Sequence, residues 1–134
     1  MDGVGSEPKI YVGESSLGGR GVFSNVNFEP GETIEFCPML VLPESDREWL
    51  DKSSLYDYYF EWGPDSRQLA LALGYGSIYN HSYDPNAIYE TYFEEKIMVI
   101  KSHLAIKPHE EILISYNQDP NDRRTVWFEK NQVR

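Results

Sequence analysis

The sequence predicts a mainly β domain of short strands with little helix. Its apolar residues fall in runs that are rich in Ile, Val, Tyr and Phe and mostly too short for helices. Gly or Pro bounds most of these runs, as turns between strands require. There is also an internal echo. "FEPGETIEF" (Phe28–Phe36) and "IKPHEEILI" (Ile106–Ile114) share apolar-x-Pro-x-Glu-x-Ile, 78 residues apart. Each reads as a proline turn that launches a strand, because Pro presets φ at the second position of a turn. Two copies do not make a solenoid.

In chain order, residues 1–8 ("MDGVGSEP") show no periodicity and read as a flexible leader. The expected strands are "KIYVGES", "GVFSN", "ETIEFCPMLVL", "YYFEW", "QLALAL", "AIYETYF", "KIMVIKSHLAI" and "EILISYN". "PESDREWLDKSSLYDYYF" is the best helix candidate, since Trp49, Leu50 and Leu55 sit near helical spacing. A second short helix is expected in "DPNDRRTVWFEK", opened by Asp119 or Asn121 as a cap.

At 134 residues the chain is the size of one domain. Twenty-two acidic residues against twelve basic give a net charge of −10. Nucleic-acid binders show the opposite balance, so DNA or RNA is not expected as a direct partner. A basic protein or peptide is the natural electrostatic partner, though acidity also serves solubility alone. Cys37 is the one cysteine, so no disulfide forms within the chain and a cysteine-rich zinc site is excluded. No secretory signal opens the sequence, and no apolar run approaches the ~18 residues of a membrane span. The expectation is a soluble intracellular protein of cytoplasm or nucleus, away from membranes.

Chemistry concentrates in "GYGSIYNHSYDPNA" (Gly74–Ala87), where Asn80, His81, Ser82, Asp84 and Asn86 crowd around Pro85 directly after the apolar "LALAL". These are turn residues, so a loop is the plain reading. The sharper one is a backbone knuckle that holds a ligand. "SLGGRGVFS" (Ser16–Ser24) raises the same choice: Gly18, Gly19 and Gly21 suit a tight turn between strands, or a place where a ligand touches the main chain. No Lys-Ser/Thr and helix follow, so a phosphate loop is disfavoured.

Taken together, three segments resemble the SET-domain protein-lysine methyltransferases. "SLGGRGVFS" is similar to that family's glycine-rich opening, "NHSYDPNA" to its Asn-His-Ser-Cys-x-Pro-Asn signature, and "EEILISYN" (Glu110–Asn117) to its Glu-Glu-Leu-x-x-x-Tyr strand. Their order matches, with "EPGE" in the expected turn, and the resemblance runs from about Lys9 onward. In length and phrasing the chain looks closest to the minimal SET domains of large algal viruses and some microbes. The domain would cover residues 9–118, with 119–134 as a C-terminal lid or helix.

The resemblance implies a SET fold, in which the Asn-His segment threads under the C-terminal strand in a knot-like arrangement. It implies S-adenosylmethionine as cofactor, touched by backbone atoms of Gly18, Gly19 and Arg20. Asn80 would hold the cofactor's amino-acid end, and His81 would offer its backbone to the adenine edge. Without the resemblance, His81 reads as a loop or core histidine with satisfied nitrogens. Tyr116 matches the active-site tyrosine, which orients amine and methyl, and Tyr58 the substrate-channel tyrosine. Ile114, two before Tyr116, would line the lysine pocket. Having no hydroxyl, it would let a monomethylated lysine proceed at least to dimethyllysine. A lysine-containing protein, basic and histone-like, is the implied substrate. The acidic run Glu44–Asp65 would flank its groove, or be an ordinary solvated face.

Departures from the family pattern agree with one another. Tyr83 stands where the signature has Cys, and there is no cysteine in the tail, so no metal site is expected. The lid would then be built otherwise, with Trp127 and Phe128 as its candidates or as ordinary core anchors. The helical insert is shortened to Pro43–Ser54. An abbreviated lid leaves room for a homodimer to complete the site, though nothing in the sequence shows one. The rival readings are a catalytically silent SET-like module that binds a peptide or partner, and a purely structural β domain.

Overall fold

The computed structural model describes residues 8–116. The described elements are β1 (Ile10–Glu14), β2 (Arg20–Ser24), β3 (Thr33–Leu42), α1 (Arg47–Asp51), β4 (Tyr59–Trp62), β5 (Gln68–Ala72), β6 (Asn80–His81), β7 (Ala87–Tyr92), β8 (Ile97–Ser102) and β9 (Glu111–Ile114), with 3-10 turns at Glu44–Asp46 and Ser54–Asp57. They form two sheets, ordered β1-β2-β9-β6 and β4-β5-β3-β8-β7. The mainly β class is present, and each of the eight expected segments contains a strand.

Only β6 runs parallel to its neighbour among the described pairs, with Asn80 opposite Leu113 and His81 opposite Ile114 on β9. Parallel neighbours need a long crossover. Here it leaves through β7 and β8 in the other sheet before returning as β9. The Asn-His segment and the last described strand therefore lie side by side, although 31 residues separate Asn80 from Glu111.

The echoed turns meet each other. Phe28 and Ile106 form an antiparallel bridge with N–H···O bonds of 2.8 and 2.9 Å. Both side chains are fully inside the core. After Pro30 and Pro108, Gly31 and His109 take φ of 89° and 72°. Each turn's glutamate closes it: Glu32 Oε1 accepts from Glu29 N–H at 2.5 Å, and Glu110 Oε1 from Lys107 N–H at 2.6 Å. Truncating Phe28 or Ile106 to Ala would cost about 2–5 kcal/mol, the range for large buried side chains.

The helix expected through "PESDREWLDKSSLYDYYF" is cut to the five residues of α1 and two 3-10 turns. Ser53 explains the cut. Its backbone is extended (φ −115°, ψ 170°), and its Oγ donates to Leu50 O at 2.8 Å and accepts from Leu55 N–H at 3.1 Å. Such local bonds offer the backbone an alternative to the helix ladder. Tyr59 and Phe60 then enter β4, paired with Leu71 and Ala70 of β5. The strand expected over Lys96–Ile106 ends at Ser102, whose N–H donates to Glu32 O at 2.8 Å and whose Oγ accepts from Glu32 N–H at 3.0 Å. Among the described residues no helix is long and apolar enough to cross a membrane.

Candidate active site

The site begins with the turn between β1 and β2. Ser15 N–H donates to Gly19 O at 2.9 Å, and Gly18 and Gly19 take φ of 102° and 68°, open to glycine and strained for other residues. A Cβ at either would meet nothing within 4 Å, so this backbone faces open space. The turn is tied to the Asn-His segment through one carboxylate. Glu111 Oε1 accepts from Ser15 Oγ at 2.7 Å, and its Oε2 from Asn80 Nδ2 at 2.8 Å. Asn80 Nδ2 also donates to Arg20 O at 2.9 Å. Both amide hydrogens of Asn80 are thereby used within the protein. Its Oδ1 is the atom left to accept from a ligand.

Asn86 does something different. Its Nδ2 donates to Glu111 O at 2.9 Å and its Oδ1 accepts from Leu113 N–H at 2.8 Å, so the side chain pairs with the edge of β9 as a strand would. This explains why the segment carries so many short polar side chains: they supply main-chain partners where β6 is only two residues long.

His81 holds the last described residue. Its Nδ1 accepts from Tyr116 N–H at 3.0 Å, so that lone pair is engaged and the ring is not set up as a general base. The ring lies 5.1 Å from the Tyr116 ring and meets Tyr83 edge-on at 4.4 Å. Tyr83, which stands at the signature's cysteine position, packs against His81. Tyr116 donates its hydroxyl to Tyr79 O at 2.8 Å. Burial, then Tyr58 and Asp57 nearby, push its pKa up to about 12. At neutral pH it is a protonated phenol, able to orient a partner and unable to act as a base.

Two clefts meet at this tyrosine. The first, about 440 Å3, is lined by Leu17, Gly18, Gly19, Arg20, Ile78, Asn80 and His81. The second, about 500 Å3, is lined by the aromatic rings of Tyr56, Tyr59, Phe60 and Tyr89 with Arg47, Asp51 and Glu61. Asp57, Tyr58, Ser77 and Tyr116 border both. Ser77 Oγ donates to Tyr58 O at 3.1 Å and fixes that shared wall.

The structure thus brings together Gly18, Gly19, Arg20, Asn80, His81, Tyr58 and Tyr116. It does not bring Ile114. That side chain is buried in the core, as is Ile112, and is not among the residues that line either cleft. Tyr89 does line the second cleft, and it donates its hydroxyl to Tyr116 O at 3.4 Å. Trp127 lies outside the described residues. Sequence reasoning missed Glu111, Asn86's pairing role and Tyr89. Glu111 carried one signal, an acidic residue opening a strand that faces a glycine turn. Among the described residues no three His, Cys, Asp or Glu side chains converge as a metal site.

Comparison with known proteins agrees with this architecture. The SET domain family matches residues 19–117, about three quarters of the chain. A histone-lysine N-methyltransferase of Schizosaccharomyces pombe, specific for H3 lysine-37, is 30% identical over 121 residues, covering 90% of this chain and 77% of its own. A candidate histone methyltransferase of Plasmodium falciparum superposes with a TM-score of 0.66 at 36% identity, covering 85% of this chain and 97% of its own. A Chaetomium thermophilum Polycomb Repressive Complex 2 chain shares the fold, with a TM-score of 0.67 at 19% identity, over 88% of this chain and 16% of its own. The fold and the site define a SET domain, and the chain belongs to the SET-domain family.

Proposed function

We propose that this chain transfers a methyl group from S-adenosylmethionine to the side-chain amine of a lysine in a basic, histone-like protein. The observation that carries the proposal is the pair of clefts that share one wall at Tyr58 and Tyr116. Methyl transfer to an amine needs two substrates that approach one point from opposite sides, and two clefts with a shared wall support that reading.

The first cleft fits the cofactor by size and by donor set. About 440 Å3 is within the usual range for small-molecule sites. Arg20 offers a cation to a carboxylate and Asn80 Oδ1 an acceptor to an ammonium. The open backbone at Gly18 and Gly19 allows close approach. When bound there, S-adenosylmethionine supplies a methyl group activated by a sulfonium. The chain's own work is positional. His81 and Tyr79 O hold Tyr116 by its amide and its hydroxyl, which aims the phenol at the point where the two clefts meet. The rings of the second cleft shield a lysine stem from water. Free lysine has a pKa of ~10.4, and shielding favours its neutral, reactive form. A protonated Tyr116 does not take that proton, which passes to solvent before the stem is enclosed. Asp51, Asp57 and Glu61 line that cleft and draw in a Lys/Arg-rich tail. Such a substrate belongs to the nucleus or cytoplasm.

The test is incubation with methyl-labelled S-adenosylmethionine and a panel of basic and acidic proteins, read by mass spectrometry. Label on lysines of basic proteins, declining with salt, is expected. Cofactor binding without transfer to any lysine would identify a silent peptide-binding module, and absence of cofactor binding a structural domain.

A further inference from the structure

Glu35 is a half-buried carboxylate outside both clefts that the mechanism above does not use. It sits where the register between β3 and β8 shifts, between Thr33 and Glu35. Strict alternation is broken there: Ile34 is buried, while Glu35 and Cys37 both face the loop that leads into β6. Glu35 Oε2 accepts from Tyr75 N–H at 2.9 Å, and its Oε1 from the Tyr79 hydroxyl at 2.7 Å. A Cβ on Gly74, at φ 69°, would run into the same carboxylate. The loop from Gly74 to Tyr79 is therefore gripped at both ends by one side chain.

Tyr79 is the residue whose carbonyl receives the Tyr116 hydroxyl, and Asn80 follows it directly. The Tyr79 ring is 1% exposed, so its orientation is set by packing and by the single polar contact at its tip. We propose that Glu35 is a positioning residue for methyl transfer: by holding Tyr79 and Tyr75 it fixes the carbonyl that aims Tyr116. This rests on the catalytic reading of Tyr116. Misplacement of a reacting group by about 1 Å can cost on the order of 100-fold in rate, so an anchor remote from the chemistry acts on turnover before it acts on binding.

The experiment compares single-turnover methyl transfer in the full chain for Glu35→Gln, Tyr79→Phe, Tyr116→Phe and the Tyr79→Phe/Tyr116→Phe double variant, with S-adenosylmethionine affinity measured for each. Glu35→Gln keeps the shape but cannot accept from both donors. Tyr79→Phe keeps the ring and removes only the tip. Each is expected to slow transfer roughly 10-fold, the scale of one hydrogen bond to a charged group, with cofactor affinity changed less than about twofold. The double variant is expected to be no slower than Tyr116→Phe alone, because Tyr79 acts through that hydroxyl. A merely structural role would instead make the losses multiply, and would overturn the inference. A fast Tyr79→Phe beside a slow Tyr116→Phe would also overturn it and leave the catalytic reading standing. An unimpaired Tyr116→Phe would remove the catalytic reading, and the inference with it. If Glu35→Gln does not fold, Tyr79→Phe decides alone.

Discussion

Replacing Tyr116 with Phe removes one oxygen and keeps the ring that lies tilted against His81. The substitution removes the 2.8 Å hydrogen bond to Tyr79 O, while the amide that donates to His81 Nδ1 is untouched. The stability cost is about 1–3 kcal/mol, the range for a buried acceptor left unpaired. Gly18, Gly19, Arg20 and Asn80 keep their places in the first cleft, so S-adenosylmethionine should bind with affinity close to the parent's. Turnover is a different matter, because the hydroxyl stands where the two clefts meet. Removing one preorganised group at the reacting centre typically costs on the order of 100- to 1,000-fold. Single-turnover transfer at saturating cofactor, with calorimetric titration alongside, separates the two effects. A rate within about twofold of the parent would refute the reasoning.

Further outcomes follow from the same geometry. Asn80→Ala breaks the links to Arg20 O and Glu111 and removes Oδ1, so it should weaken cofactor binding by ~1–3 kcal/mol and peptide binding less, as titration of each would show. Tyr89→Phe frees space beside Tyr116 and should raise the share of higher methylated lysine, read by mass spectrometry. Ile114→Tyr, by contrast, should destabilise by overpacking, about 1–3 kcal/mol, in a thermal melt, because Ile114 lies in the core. Stability should also fall in alkali. Cys37, Tyr79, Tyr89 and Tyr116 all hold their protons more tightly when folded, chiefly through burial. The unfolded chain gives up those protons first, so this stability is complete below pH 9, the unperturbed value for Cys37, and is lost above it. A melting temperature that stays flat or rises through pH 11 would contradict that (about one unit above the usual tyrosine value).

Much of the site was legible because its chemistry is contiguous. Asn80 and His81 are adjacent, and Gly18 to Arg20 form one turn, so short motifs carried them. Tyr116 was singled out by the strand that leads to it. Ile114 was picked out by its position two before Tyr116 in the family pattern, which carries no information about the burial of its side chain. β9 stops at Ile114, with Ile112 and Ile114 both pointing into the core, and the chain turns before Tyr116. Tyr89 was invisible for another reason. It reaches the pocket from β7 in the other sheet, and with ten tyrosines in the chain no local pattern set it apart. Glu35 likewise gains its contacts with Tyr75 and Tyr79 only through the loop packed on β3. The overlong helix came from spacing alone, which does not register that the Ser53 hydroxyl bonds Leu50 O and Leu55 N–H.

The most direct measurement is a crystal structure of the chain with S-adenosylhomocysteine and a lysine peptide from a basic tail. The account predicts the nucleoside compound in the cleft lined by Gly18, Gly19, Arg20, Asn80 and His81. The peptide should lie across the Tyr56–Glu61 side, its lysine amine entering between Tyr58 and Tyr116 to meet the sulfur end-on. Both ligands on one side of Tyr116, or a lysine directed away from it, would contradict the account.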